Sequence, residues 1–519
     1  MRSIRDEKNK SQSTSTTMRL SNDLAVKTTL FVDKIEIIDD YAANQVSKES
    51  NPKENNLLAD AECFVMIPPT AIPLKQRPES HYEKISGNLS HSFHHIFKMI
   101  KKNRKIDSKP PTVHFFKQNK DNPHDPYMYT LEATICGFYQ LLAPHHSPSA
   151  RALYDGQLNN VGIISKELQG FKPISEEPLK EEDFLIDALK YISIEELESI
   201  DERARREGLQ LENKPNNQII YQVFLSPNNN LGSTEDKPAI KIPVTARDLK
   251  NFRTIKGQAI GLTTSYIFEE DDLHTFNVSE TGVRIDFDMS LWPITYHFKK
   301  GGAFDWALRD PTGRFDVTAN DILHFPNLKD AAPFYWPALA ANVLNVSKNA
   351  FSSRANAIHQ KLESHPVFIH YKFVTLIKYI LTSEDIYRNI SRLHIHEESK
   401  FENKNFIDIL AKHEADRLAL FKTELLKLTN FHEFLATHGD KILKNILMEF
   451  SEYNTKFAKK IGQNSLYQPQ IINLNQVIKE YVDICAKIRI VKNPDIIKED
   501  PDIANMLTEN FKSMKKPMS

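Results

Sequence analysis

The feature that most constrains this chain is a change in the spacing of its apolar residues. Between about residues 112 and 168, β-branched and aromatic runs (TVHFFK at 112–117, ARALYD at 150–155, VGIISKEL at 161–168) surround one segment in which Met128, Leu131, Ile135, Phe138 and Leu142 recur at spacings of three and four. The runs call for strands and the wider spacing for a helix, so the expected order is strand, helix, strand, strand, with a short helix before it, after about residue 85. Asp125 is placed to cap the central helix, Pro126 suits its first turn, and Pro144 stops it. From about residue 331 the helical spacing runs almost unbroken, with turns expected near His365, Glu398, Gly439 and Gly462. This pattern predicts an α+β fold, a small mixed lobe followed by a mostly helical one.

Composition narrows the class. With 519 residues and 40% hydrophobic content, two to four domains with real cores are expected. The 67 Lys and Arg balance 68 Asp and Glu, so no global field draws the chain to nucleic acid, and any anion site is local. Cys63, Cys136 and Cys485 lie far apart without a C-x-x-C pair, which excludes a zinc ribbon and argues for a reducing compartment. Neither a long apolar run nor a Sec-type leader is present, so export would use another route. Residues 1–60 read as a flexible leader, with folded sequence starting near Cys63. Residues 171–213 carry thirteen acidic against six basic side chains and read as an inserted amphipathic helical pair, followed by an Asn- and Pro-rich loop over 214–240.

The most informative stretch is EEDDLHTFNVSETGVRIDFDMSLWP, residues 269–293, which follows a helix containing AIGLTTSYIF. Asp272 and Asn277 are five apart, and Asp286 follows in the apolar, strand-like run Val283 to Phe287. Phosphoryl transfer needs a carboxylate to orient the attacking hydroxyl, and an amide with a second carboxylate to hold the metal that neutralises the phosphates. Oxygen ligands of this kind suit Mg2+ or Mn2+, and His274 is placed to fix the loop. Taken singly, Lys117 reads as a solvated strand end, Glu132 as a surface helix residue and His274 as structural. Their order along the chain gives them weight together.

These residues resemble the kinase fold, in the style of its phosphoinositide-kinase-like and aminoglycoside-kinase-like branch, whose catalytic loop reads D-x-H-x-x-N. The resemblance implies a protein-kinase-like two-lobed fold: small lobe 61–170, large lobe 171–395 with an acidic helical insertion at 171–240, and an all-helical domain at 396–519. It makes Asp272 the catalytic base, Asn277 a metal ligand, Asp286 the metal-binding aspartate of a D-F-G element and Phe287 its phenylalanine. Lys117 becomes the strand lysine for the ATP phosphates and Glu132 its helix partner. Glu167 and Leu168 would offer backbone groups to adenine, with ATP and Mg2+ or Mn2+ as cofactors. Departures are clear. No G-x-G-x-x-G precedes Lys117, only Gly87 in SGNLSHSF; Asp288 replaces the final glycine of D-F-G, adding a metal ligand compatible with a manganese preference; Glu270 stands where a histidine is usual; and no A-P-E is found.

More narrowly, SARALYDGQLNNVGIISKELQGFKPI with DLHTFNVSETGVRIDFDMSLWPIT is similar to effector kinases of intracellular Legionella-type bacteria, over about residues 110–340. That similarity implies delivery by a non-Sec route into a host cell, to the cytosol or the cytosolic face of a host or vacuolar membrane, and a hydroxyl of a host protein as acceptor. It also implies activation by inositol hexakisphosphate and a C-terminal region binding phosphatidylinositol 4-phosphate. Anion-binding candidates are Lys98, Lys101, Lys102, Arg104, Lys105 and Lys109, leading to Lys117, and a second group of Lys299, Lys300, Arg309 and Arg314; a solvated basic face is the plainer reading of each. The tail is nearly neutral, so lipid binding there, around FHEF at 431–434 and Lys456, Lys459 and Lys460, would need a shaped pocket. Its last residues, LTENFKSMKKPMS, are compatible with a type IV secretion signal. Rival readings are a kinase-fold AMP transferase, a lipid kinase, and a pseudokinase scaffold tethered to phosphoinositide membranes.

Overall fold

The structure, a computed structural model, describes residues 73–492 apart from 90–93, 103–110, 126, 176–178, 226–239, 301–307, 334–335, 337–358 and 462–470. The expected leader, Cys63, Pro126, Arg104, Lys105, Lys109, Gly462 and the final residues lie outside the described residues.

The first lobe is built on a six-stranded sheet. Its strands are β1 (Arg77–Pro78), β2 (Tyr82–Lys84), β3 (His94–Lys101) and β4 (Val113–Asn119), then, after helix α1 (Met128–Leu142), β5 (Ala150–Tyr154) and β6 (Asn160–Lys166). The order is β1-β5-β6-β4-β3-β2, antiparallel throughout except for the short β1–β5 pair. Ile96, Lys117 and Ile163 stand abreast on three neighbouring strands. Because successive side chains alternate between faces, Phe116 enters a core of Tyr82, Met99, Leu153, Val161 and Ile164, while Lys117 points to the other side. The stretch read as a short helix after residue 85 is strand β3. Eight residues leave the spacing ambiguous, and pairing with β2 on one side and β4 on the other decides the outcome.

Asp125 caps α1 as expected, its Oδ1 accepting the backbone N–H of Tyr127 and of Met128 at 2.8 Å each. Nearly every residue of α1 is buried, since it packs on β5 and β6 and against later helices. Glu132 therefore has no route to bulk water along its own helix.

The acidic insertion differs from the helical pair expected. Among the described residues it holds three 3-10 turns, Glu181–Phe184, Asp187–Lys190 and Leu211–Asn213, and a single helix α2 (Ile194–Arg206), started by a Ser193–Glu196 capping box. What was read as a loop over 214–240 contains β7 (Ile219–Leu225), paired antiparallel with β8 (Ile240–Thr245). The Asn- and Pro-rich flanks hide this strand from a compositional reading.

The rest is helical: α3 (Ala246–Ile267), α4 (Trp292–Lys299), α5 (Ala319–His324), α6 (Pro366–Ile380) and α7 (Glu384–Arg392), then the two-residue strands β9 (Lys400–Phe401) and β10 (Lys404–Asn405), and α8 (Phe406–Leu425), α9 (Thr429–Ile461) and α10 (Leu474–Lys492). His365 caps α6, its Nδ1 accepting the Val367 N–H at 3.2 Å. Gly439 does not end a helix. It lies inside α9, where a Cβ would sit 2.2 Å from the Tyr481 hydroxyl of α10, so the glycine serves a close approach between helices. Helix α8 is rooted in the centre of the molecule. Arg417, nearly fully buried, donates to the carbonyls of Tyr266 (2.6 Å) and Ile267 (2.5 Å) at the end of α3 and of Phe315 (2.9 Å), and pairs with Glu269 at 3.1 Å. A guanidinium there meets the negative end of the helix dipole and its unpaired carbonyls.

Candidate active site

Strand β4 and helix α1 bring Lys117 and Glu132 together. Lys117 Nζ is 3.3 Å from the Glu132 carboxylate, 2.5 Å from Asp286 Oδ1 and 3.2 Å from Asp288 Oδ2. Asp288 Oδ2 also meets Lys299 of α4 at 3.1 Å and His94, the first residue of β3, at 2.9 Å. Residues spread from 94 to 299 thus close on one point where the sheet lobe faces the helical one. Asn277 Nδ2 donates to the Asp272 carbonyl at 3.2 Å and lies 3.2 Å from His274 Nε2, which stands 3.6 Å from the Asp272 carboxylate. Gly87 lies between β2 and β3, in the hairpin that leads to His94.

Burial and crowding of acids set the electrostatics. Burial drives the Lys117 ammonium toward its neutral form, but Asp286, Asp288 and Glu132 outweigh this and hold its pKa well above the ordinary lysine value. Burial pushes Glu132 up to about 7 against the pull of Lys117. Burial, with Glu270, Asp286 and Asp288 nearby, raises Asp272 well above the usual carboxylate range. Burial would raise Asp288 too, yet Lys117, Lys299 and His94 draw it well below that range. His274 is lowered to about 4, chiefly by burial and then by Arg284, so it is a neutral imidazole at physiological pH. Four carboxylates, Glu132, Asp272, Asp286 and Asp288, face two lysines, Lys117 and Lys299. This excess of hard oxygen donors, with the Asn277 amide, fits Mg2+ or Mn2+.

The loop that carries these acids is fixed by side chains that spacing alone did not single out. Arg284 is fully buried and ion-paired at 2.9 Å with equally buried Glu270. It also donates to the carbonyls of Asn277 (2.9 Å) and Asp286 (3.3 Å), and so ties both candidate ligands to one guanidinium. Glu270, where a histidine was the usual residue, accepts the Asp272 N–H at 3.0 Å and the Ser290 hydroxyl. Asp286 adopts φ 61°, a left-handed conformation that aspartate tolerates better than most residues. Between Asn277 and Asp286 the chain forms a small hairpin closed by Ile285 N–H to the Asn277 carbonyl (3.0 Å) and Ser279 N–H to the Val283 carbonyl (2.9 Å). Its tip rests in a notch of α3. A Cβ at Gly257 would lie 2.0 Å from the Thr281 carbonyl oxygen, and one at Gly261 would lie 2.1 Å from that of Gly282. Gln258 completes the seat, its Nε2 donating to the carbonyls of Ser279 (2.8 Å) and Glu280 (2.7 Å). Two glycines one helical turn apart, in a chain with only 15, were the available signal.

Other expected site residues fare differently. The Glu167 N–H donates to Val113 at 3.0 Å and the Leu168 carbonyl accepts from Phe171 at 3.3 Å, so the sheet edge and a turn withdraw those two groups from an adenine. Lys98 pairs with the Glu167 side chain at 3.0 Å, whereas Lys101 and Lys102 are exposed at the end of β3. The second anion group is dispersed. Lys299 belongs to the cleft, Arg314 is held by buried Asp271 at 2.9 Å, Lys300 lies over the Tyr296 ring at 5.7 Å, and the Arg309 carbonyl accepts from Trp292 Nε1 at 3.0 Å. Phe431 and His432 of the tail are buried, and Lys456 pairs with Glu452.

Compared with known proteins, the sequence matches no protein-family model and no curated protein.

Proposed function

We propose that this chain is an atypical kinase-fold phosphotransferase that moves the γ-phosphoryl of ATP to a hydroxyl of a protein substrate. The observation that carries the reading is the meeting of Lys117 with Glu132, Asp286 and Asp288, from three separate parts of the sequence. A kinase needs its phosphate-binding lysine on a strand, paired with a glutamate of the next helix and facing the metal-binding aspartate. Lys117 on β4 and Glu132 on α1 stand in that relation, and the segment with Gly87 between β2 and β3 would serve as the phosphate cover.

Each residue has a chemical task. Asp286, Asp288 and Asn277 would hold a divalent ion, whose charge offsets that of the phosphates. Lys117 binds phosphate oxygens once it exchanges Asp286 for them, and Glu132 keeps its ammonium aimed. Asp272, made more basic by burial and by its acidic neighbours, accepts the hydrogen bond of the acceptor hydroxyl and takes its proton. His274 and Asn277 fix the orientation of Asp272.

Activation by inositol hexakisphosphate would draw on Lys101 and Lys102, since Lys98 is engaged by Glu167. Tethering to phosphatidylinositol 4-phosphate would need tail residues other than Phe431 and His432. The deciding assay incubates the chain with radiolabelled ATP, Mg2+ or Mn2+ and a host-cell extract, with and without inositol hexakisphosphate. Mass spectrometry of labelled products separates phosphoryl from AMP transfer, and protein from lipid acceptors. Asp286→Ala leaves Lys117 its other two acids, so the chain stays folded and label transfer disappears; a fully active variant refutes the assignment.

A further inference from the structure

Away from the cleft, three side chains from distant stretches meet: Glu195 in the first turn of α2, His370 of α6 and His438 of α9. Their ligating atoms all lie within 4.8 Å of one another. His438 Nδ1 stands 2.7 Å from Glu195 Oε1, and the two imidazoles are 5.2 Å apart at 75°. His370 is only 7% exposed and makes ring contacts with Tyr371, Phe434 and His438, but no hydrogen bond to another described residue. Glu195 Oε1, despite the near approach of His438, is a buried oxygen without a hydrogen bond, and such an atom calls for a missing group.

We propose that Glu195, His370 and His438 bind a divalent transition-metal ion, Zn2+ above all. Two imidazole nitrogens and one carboxylate suit zinc and exclude Mg2+ and Ca2+, which favour oxygen alone. Zinc ligands at about 2.0–2.1 Å from the ion stand roughly 3.4 Å from each other in a tetrahedron, so the three donors need close by at most about 1.4 Å. The walls are already firm. One turn beyond Glu195, Glu198 is held by Lys256 at 2.7 Å and by the Tyr371 hydroxyl at 2.5 Å, while Phe434 packs on His370 at 5.2 Å and on His438 at 4.8 Å. Partial exposure of Glu195 and His438 gives the ion a way in and leaves a fourth position for water. The ion joins the acidic insertion, the central helical layer and the tail helix at one point, and it is independent of the ion the cleft would hold.

The test uses the full chain, stripped with chelator and titrated with Zn2+ by calorimetry and with Co2+ by its d–d absorption. One ion binds per chain at this site, beyond any held by the cleft, and Zn2+ raises the melting temperature more than Mg2+ at the same concentration. His438→Gln and Glu195→Gln, both at partly exposed positions, keep the wild-type circular dichroism and each weaken binding by at least about tenfold. No binding up to about 100 μM ion overturns the proposal, because such a site would not stabilise the chain at ordinary metal levels. Equal binding by wild type and both variants overturns it as well, since the ion would then sit on other histidines.

Discussion

Replacing Arg284 by Met tests whether the acid-bearing loop depends on one buried ion pair. Arg284 and Glu270 are both fully buried and 2.9 Å apart. Removing one partner of such a pair costs about 3–5 kcal/mol, because a carboxylate is left without its counter-charge. At roughly 2–4 °C per kcal/mol for a unit of a few hundred residues, the melting temperature should fall on the order of 10 °C. Scanning calorimetry measures this, alongside Glu270→Leu/Arg284→Met, which removes both charges and should recover most of the loss. The double variant restores stability without restoring the hold on the Asn277 and Asp286 carbonyls, so activity stays low. The deficit also depends on pH. Burial already raises the Glu270 carboxyl above its ordinary value against the pull of Arg284, and without Arg284 it rises further. The folded variant then keeps a proton that the unfolded chain has released, so its stability falls as pH climbs, and the deficit is smaller near about pH 5 than near about pH 8. A loss under about 2 °C, or a double variant no better than the single one, refutes the reasoning.

The remaining predictions concern packing and the cleft. Gly261→Ala gains helix propensity yet drives a Cβ to 2.1 Å from a backbone oxygen, so it destabilises by about 1–3 kcal/mol in thermal melts; a neutral or stabilised variant would remove the notch from the account. Gly439→Ala should cost clearly less, because its obstacle is the end of the Tyr481 side chain, which can swing away. Glu132, raised from 4.5 to about 7, is protonated in the folded chain at pH values where the unfolded chain has ionised it, so its contribution to stability declines between those two values as pH rises. Glu132→Gln should flatten that slope in melts across the window while weakening nucleotide binding, measured with a fluorescent ATP analogue; an unchanged slope contradicts the reading.

The sequence showed the parts of the cleft whose chemistry demands particular residue types at particular spacings. Lys117, Glu132, Asp286 and Asp288 meet because strand alternation and helical spacing oriented the first two, and a short hairpin carries the others. What it concealed depends on pairing at a distance. HHIFKMIK reads equally as helix or strand until β2 and β4 flank it, and IIYQVFL is masked by its Asn-rich neighbours. His94 and Lys299 look like surface cations in one dimension, and only the approach of Asp288 gives them a place. Arg284 gave no local signal at all, since a buried arginine is recognisable only once its acid is beside it.

Arg417 bears on how the molecule can be taken apart. A break near residue 396, where the helical tail was expected to begin, would strand the carbonyls of Tyr266, Ile267 and Phe315 and orphan Glu269, next to the loop that bears Asp272. Anyone wishing to express the part that holds the cleft alone should therefore keep α8 and cut beyond Leu425, treating that helix as foundation rather than appendage.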